Sequence, residues 1–144
     1  MSPEKQIQVF LVDDNALFLA SLEIEFLRHG GYSIEIFATG ELCLASLSLN
    51  PDIIILDYHL DGIDKTAMNG IATLDKIKAF QPDLPVIMLS SQDKIEVAVN
   101  CMHHKAFDYV VKNETAFVRL NKIIENALRY QKMEKELNWY MERM

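Results

Sequence analysis

Asp13, Asp14, Asp57, Ser90 and Lys112 lie far apart in the chain, yet each follows a short apolar run. The acidic pair follows Ile7 to Val12, Asp57 follows Ile53 to Leu56, Ser90 follows Val86 to Leu89, and Lys112 closes Phe107 to Val111. If those runs are parallel strands, their ends meet on one edge of a sheet. Three carboxylates brought into one pocket repel each other and call for a cation. A hard, oxygen-seeking divalent ion suits such a set, and Mg²⁺ is the usual one where phosphate is the other ligand. A lysine and a hydroxyl opposite the acids would hold phosphoryl oxygens. The set points to phosphoryl transfer onto a carboxylate, with one aspartate as nucleophile. Any one of these residues alone is an ordinary cap or turn residue. The matched set carries the reading.

The elements that must position these groups are legible from pattern. In Pro51-Asp52-Ile53-Ile54-Ile55-Leu56-Asp57, four consecutive aliphatic residues form a strand buried on both faces, as in a parallel sheet. Chemistry in open α/β sheets collects outside the carboxyl ends of the strands, where Asp57 is both reachable and rigidly held. Around it, strands are expected at Ile7 to Val12, Tyr32 to Phe37, Val86 to Leu89 and Phe107 to Val111. Helices are expected from Ala16 to Arg28, Glu41 to Leu49, Gly70 to Phe80 and Asp93 to His104, with a last one from about Thr115. Asp and Asn after the first strand are N-cap signals, and Gln81-Pro82 ends the third helix. Ile71, Leu74 and Ile77 share one face of that helix, and Ile95, Ala98, Val99 and Met102 recur at helical spacing in the next. Strand and helix alternate five times, which predicts a five-stranded parallel sheet covered by helices on both faces.

Composition narrows the field. A chain of 144 residues, 50% hydrophobic and 24% charged, suits one soluble domain with a real core. A net charge of −7 speaks against direct nucleic-acid binding, which wants a basic face. No apolar run reaches the length of a membrane span, and Met1-Ser2-Pro3-Glu4-Lys5 lacks a signal peptide's apolar core. Cys43 and Cys101 lack metal-type spacing and read as buried thiols in a reducing cytosol. A cytoplasmic chain is expected, without membrane attachment.

Together these residues resemble the receiver domain of bacterial two-component response regulators, from about residue 7 to residue 130. The resemblance rests on Phe10-Leu11-Val12-Asp13-Asp14, Pro51 to Asp57, Ser90, and Asp108-Tyr109-Val110-Val111-Lys112. It implies an α/β, doubly wound, flavodoxin-like fold with strand order 2-1-3-4-5. It further implies that Asp57 accepts a phosphoryl group from a sensor histidine kinase or phosphotransfer protein. Asp14 and Asp57 would bind Mg²⁺ directly, Asp13 through water, and the backbone carbonyl of His59 would complete the set. Ser90 would follow the phosphate, Lys112 would pair with one of its oxygens, and Tyr109 would be the switch aromatic. Such a domain signals by a two-state element biased by new charge. It assists only its own phosphorylation and hydrolysis.

Three places depart from that family's pattern. The loop from Tyr58 to Asn69 is longer than usual and lacks the common proline, an insertion that is cheap in closure entropy. Its Asp61, Asp64 and Lys65 read as solvated. Lys105 stands where the family usually has glycine, so it either takes a left-handed conformation or ends its helix differently. Asn113 replaces the proline that usually follows the lysine. The Lys112-Asn113 bond is expected to be trans, since a cis bond without proline costs about 3–4 kcal/mol. His103 and His104, adjacent at a helix end, cannot share one metal and are read as favourable charge there.

Rival readings are weaker. A flavodoxin-like cofactor binder needs a phosphate-cradling loop after the first strand, where Asp13-Asp14-Asn15 would repel the ligand. A phosphatase with an aspartyl nucleophile would carry a second acid where Asn15 stands. A phosphorylation-independent pseudo-receiver would not need the intact acid, hydroxyl and lysine set.

The expected domain spans 1–130, with 131–144 a helical extension. Phe117, Leu120, Ile124 and Ala127 form the last helix's core stripe. A second stripe, Ile123, Ala127, Tyr130, Met133, Leu137, Tyr140 and Met144, continues past it in steps of three or four. That face is expected to meet a second copy of the chain or to lead into a downstream output domain.

Overall fold

The computed structural model describes residues 5–144; Met1 to Glu4, part of the expected 1–130 unit, lie outside the described residues. Five strands, β1 (Ile7–Val12), β2 (Tyr32–Phe37), β3 (Ile53–Asp57), β4 (Val86–Ser90) and β5 (Asp108–Val111), pair in parallel. Their order is β2-β1-β3-β4-β5. Five helices alternate with them: α1 (Ala16–His29), α2 (Gly40–Ala45), α3 (Gly70–Phe80), α4 (Ile95–His103) and α5 (Ala116–Glu142). Successive strand side chains alternate faces, so each strand feeds two cores. Val9, Leu11, Ile53, Ile55, Ile87, Leu89 and Val110 pack with α1 and α5 residues such as Phe26, Leu120 and Ile124. Phe10, Val12, Ile54, Leu56, Val86 and Met88 pack on the other side with Leu74, Ile77, Val97 and Cys101. Each fully buried aliphatic side chain here stabilises by about 1.5–3 kcal/mol. The central strand is rigid because both of its faces are covered.

Side chains set the helix starts. Asn15, Thr39 and Asn69 accept the backbone N–H three residues on, from Phe18, Leu42 and Ala72 at 3.1, 3.1 and 2.8 Å. The second helix is shorter than its pattern predicts. It stops at Ala45, and a 3₁₀ turn over Leu47–Leu49 follows, ending in left-handed Asn50. Ser46, a weak helix former, has its N–H on the Cys43 and Leu44 carbonyls, which tightens the chain there.

The fourth helix begins at Ile95 and turns the opposite face inward from the one its apolar spacing suggests. Val97 and Cys101 are buried, whereas Ile95, Val99 and Met102 are exposed. The helix has two apolar stripes, and periodicity alone does not say which meets the sheet. Lys105 takes the left-handed conformation, at φ 73°. His104 Nδ1 lies 2.8 Å from Asp75 Oδ1, a cross-helix contact rather than a helix-end charge alone. Both cysteines are buried, and burial pushes Cys43 up to about 12 and Cys101 to about 11, so neither thiol ionises readily. No helix among the described residues is long and apolar enough to cross a membrane.

Candidate functional site

The sheet's register assembles the site. Val12 lies opposite Leu56, and Asp57 opposite Leu89, so the acidic pair and Asp57 leave adjacent strands at the same level. Ser90 pairs with Val111, which sets Lys112 one residue beyond. Backbone bonds run past the strand ends: Asp13 N–H to Phe37 O at 3.0 Å, Tyr58 N–H to Leu89 O at 2.8 Å, and Lys112 N–H to Ser90 O at 2.8 Å. The candidate site side chains therefore hang from a continuous ladder rather than from free loops.

Asp13, Asp14 and Asp57 each offer an oxygen within 4.8 Å of the others'. Asp13 and Asp57 are 1% and 3% exposed, whereas Asp14 is only partly buried. Lys112 Nζ is 2.5 Å from Asp13 Oδ2 and 3.3 Å from Asp57 Oδ1. The ammonium is thus the charge partner of this buried oxygen. Burial above all, then the Asp13 carboxylate, lifts the Asp57 carboxyl from the usual range to about 7; Lys112 and the His59 backbone N–H pull it back only in part. One ammonium does not balance three carboxylates. The donor set fits a divalent cation, being all oxygen, crowded and short of positive charge.

The hydroxyl and the aromatic share a partner. Ser90 is fully buried, and its Oγ accepts the Gln92 N–H at 3.0 Å. The Tyr109 hydroxyl, half-buried, donates to the Gln92 carbonyl. Both expected switch residues are thus tied to one residue of the β4–α4 loop. His59 contributes its backbone to the pocket, while its Nε2 is buried without a hydrogen-bond partner. Asp64 and Lys65 are exposed, and Asp61 is partly so.

Several contacts escaped the sequence reading. Lys112 Nζ lies 4.8 Å from the centre of the Phe18 ring, a cation–π contact that steadies it from α1. Ile63 N–H donates to Asp14 Oδ2 at 3.2 Å. Tyr58 OH accepts from Asn100 Nδ2 at 3.1 Å, joining the residue after Asp57 to α4. No cis peptide bond occurs among the described residues, so Lys112-Asn113 is trans as expected. Asn113 Oδ1 accepts the Thr115 N–H and hydroxyl at 2.9 and 2.8 Å and turns the chain into α5.

With this geometry in view, the similarities to known proteins are specific. The sequence profile of the response regulator receiver domain matches residues 9–125. The chain belongs to the response regulator receiver family. This receiver is 31% identical over 123 residues to the transcriptional regulatory protein ZraR of Salmonella typhimurium, covering 85% of this chain and 26% of that protein. It is 34% identical over 120 residues to the regulatory protein LuxO of Vibrio vulnificus, covering 83% and 25%. It therefore spans about a quarter of the length of these curated relatives. Among solved structures, the receiver domain of NtrX from Brucella abortus superposes with a TM-score of 0.72 at 31% identity, covering 84% of this chain and 98% of that one. A CheY-like receiver domain protein from Methanospirillum hungatei gives 0.74 at 25% identity, covering 90% and 99%.

Proposed function

We propose that this receiver accepts a phosphoryl group on Asp57 from a sensor histidine kinase or phosphotransfer protein, with Mg²⁺, and signals by a change of surface. The observation that carries the reading is the buried acid set facing Lys112 at one strand-end edge. In the transfer, an Asp57 oxygen forms the new P–O bond as the P–N bond to the donor's imidazole breaks. Asp14, Asp57 and the His59 carbonyl would hold Mg²⁺, with Asp13 acting through water. When bound, Mg²⁺ supplies the positive charge that offsets the carboxylates and the incoming phosphoryl oxygens. Lys112 pairs with a phosphate oxygen, and Ser90 turns its hydroxyl from the Gln92 N–H toward the phosphate. That move disturbs the Gln92 backbone that Tyr109 also holds, which links phosphorylation to the outer surface of β5. No small-molecule turnover is assigned to the site. A cytoplasmic location is part of the same reading.

Incubating the chain with Mg²⁺ and acetyl phosphate is expected to add the mass of one phosphoryl group, and Asp57→Asn to add none. Beryllofluoride is expected to bind the wild type with Mg²⁺ and not the variant. Equal labelling of both chains would sink the assignment.

We further propose that residues 1–130 are the receiver domain and 131–144 an extension that pairs with a second copy. Gln131 Nε2 still reaches back to the Asp83 carbonyl at 2.7 Å, whereas Tyr130, Met133, Leu137 and Tyr140 are each about 60% exposed. A solvated helix of this length is marginal alone. In a parallel pair with Tyr130, Leu137 and Met144 at one seam position, Arg129 would face the partner's Glu134 across the seam. Light scattering is expected to give a dimer for the full chain and a monomer after removal of 131–144. Monomers in both cases, with and without beryllofluoride, would exclude pairing; continuation into an output domain would then be the remaining role.

A further inference from the structure

Residues 58–69 connect β3 to α3 by a route longer than such connections usually take. The loop is nevertheless tied down. Leu60 is 1% exposed in the core under α3. The Asp64 carboxylate accepts the Thr66 N–H and hydroxyl at 2.9 and 2.7 Å, and Ala67 N–H closes the turn on the Asp64 carbonyl at 3.1 Å. Two contacts then tie the loop to other elements. Ile63 N–H donates to Asp14 Oδ2 at 3.2 Å, and Met68 N–H donates to both Glu41 oxygens, at 3.3 and 3.1 Å. Glu41 lies in the first turn of α2, outside the acidic pocket.

Asp14 needs such a hold more than its neighbours do. Asp13 and Asp57 are held by burial, whereas Asp14 is only partly buried and lacks that packing restraint. A backbone N–H on one lone pair of Oδ2 fixes the carboxylate and leaves its remaining lone pairs for a cation. The loop is seated closely there, since a Cβ added at Gly62 would lie 3.3 Å from Asp14 Oδ2 and 3.5 Å from His59 O. Both of those oxygens belong to the expected ligand set. Resting on the reading of this pocket as a Mg²⁺ site, we propose that Glu41 is a positioning residue for Asp14. It anchors the far limb of the loop through Met68 N–H, and the anchored loop delivers Ile63 N–H to the carboxylate.

Partners that orient a metal's ligands are typically worth about 10–100-fold in affinity. Glu41 acts one step further away, so Glu41→Ala is expected to weaken Mg²⁺ binding about three- to tenfold. Glu41→Gln keeps an oxygen for Met68 N–H while losing the charge, and is expected to stay within about twofold of wild type at physiological salt, where distant charge is screened. Gly62→Ala, which disturbs the other limb, is expected to weaken binding with Glu41 intact. Isothermal calorimetry of the full chain with MgCl₂ measures each affinity, and metal-free thermal melts accompany it. Weakening in the Ala variant, recovery in the Gln variant and unchanged melts support the proposal. Equal Mg²⁺ affinity in wild type and Glu41→Ala overturns it, as does equal weakening by Ala and Gln, or weakening that tracks a lowered melting point. Absence of Mg²⁺ binding by the wild type is a different result, and overturns the reading of the pocket itself.

Discussion

Asp57→Asn is expected to stabilise the metal-free chain by about 2–4 kcal/mol at pH 8 and by almost nothing below about pH 4. The reason is that burial and the Asp13 carboxylate disfavour the ionised Asp57, raising its folded value to about 7 against Lys112 and the His59 N–H. A group whose folded value is raised contributes stability that is complete below its unfolded value and lost as pH climbs through the folded one. For Asp57 that window runs from about 4 to about 7. Asparagine has no proton to lose, so the variant keeps the stability that the wild type gives up, while Lys112 retains Asp13 as a partner. Urea denaturation in a chelating buffer from pH 4 to pH 9 measures this directly. Two curves that stay parallel over the whole range would show that the carboxylate is not strained by its surroundings. Added Mg²⁺ is expected to narrow the gap at pH 8, because a cation relieves the same repulsion in the wild type.

That cost also explains what the sequence could and could not disclose. Strand ends were readable because burial on both faces leaves long aliphatic runs, and a polar residue after such a run marks the edge. The acid pair, Asp57, Ser90 and Lys112 were therefore visible as one set before any geometry was known. Their mutual distances follow from parallel register, which the β–α alternation implies. Contacts made by backbone groups left no such trace. Ile63 N–H on Asp14 and Met68 N–H on Glu41 could come from almost any residue types, so the loop's grip on the pocket was unreadable. Phe18 packs against the core under α1 and also meets Lys112, a second role that an apolar residue's type does not announce. The spacing of Ile95, Ala98, Val99 and Met102 marks α4 as a helix but not its inward face: Ile95, Val99 and Met102 outweigh Val97 and Cys101 in apolar bulk, yet the smaller pair fits against the sheet. Bulk on a surface is free to vary; close approach to a sheet is not.

Close approach to backbone is sharpest at Gly70, where substitution is expected to have a large structural effect. Gly70 opens α3, and its N–H donates to the Tyr58 carbonyl at 3.1 Å, so the helix start is pressed onto the chain just after Asp57. A Cβ there would fall 2.3 Å from Asp57 O, 2.7 Å from Tyr58 Cα and 2.8 Å from Tyr58 O. All three obstacles are backbone, which cannot rotate aside as a side chain can. Relief requires α3 to withdraw from the strand end, carrying with it the β3–α3 loop and the packing of Leu74 and Ile77. Overpacking of this kind costs about 1–3 kcal/mol, and Gly70→Ala is expected at the upper end, about 3 kcal/mol. Gly30→Ala provides the contrast. Nothing lies within 4 Å of the added carbon, so its cost is purely conformational: a φ of 82° with a ψ of 161° is a region that only glycine adopts readily, at about 1–3 kcal/mol for other residues. Denaturant midpoints of the two variants separate the effect of space from that of conformation. A further difference is expected in function. Because the displaced atoms include the Asp57 carbonyl, Gly70→Ala is expected to slow labelling by acetyl phosphate even at temperatures where it remains folded, whereas Gly30→Ala leaves the rate unchanged. An unfolding midpoint equal to wild type for Gly70→Ala would mean that helix and strand end are not in the contact that the pocket's geometry depends on.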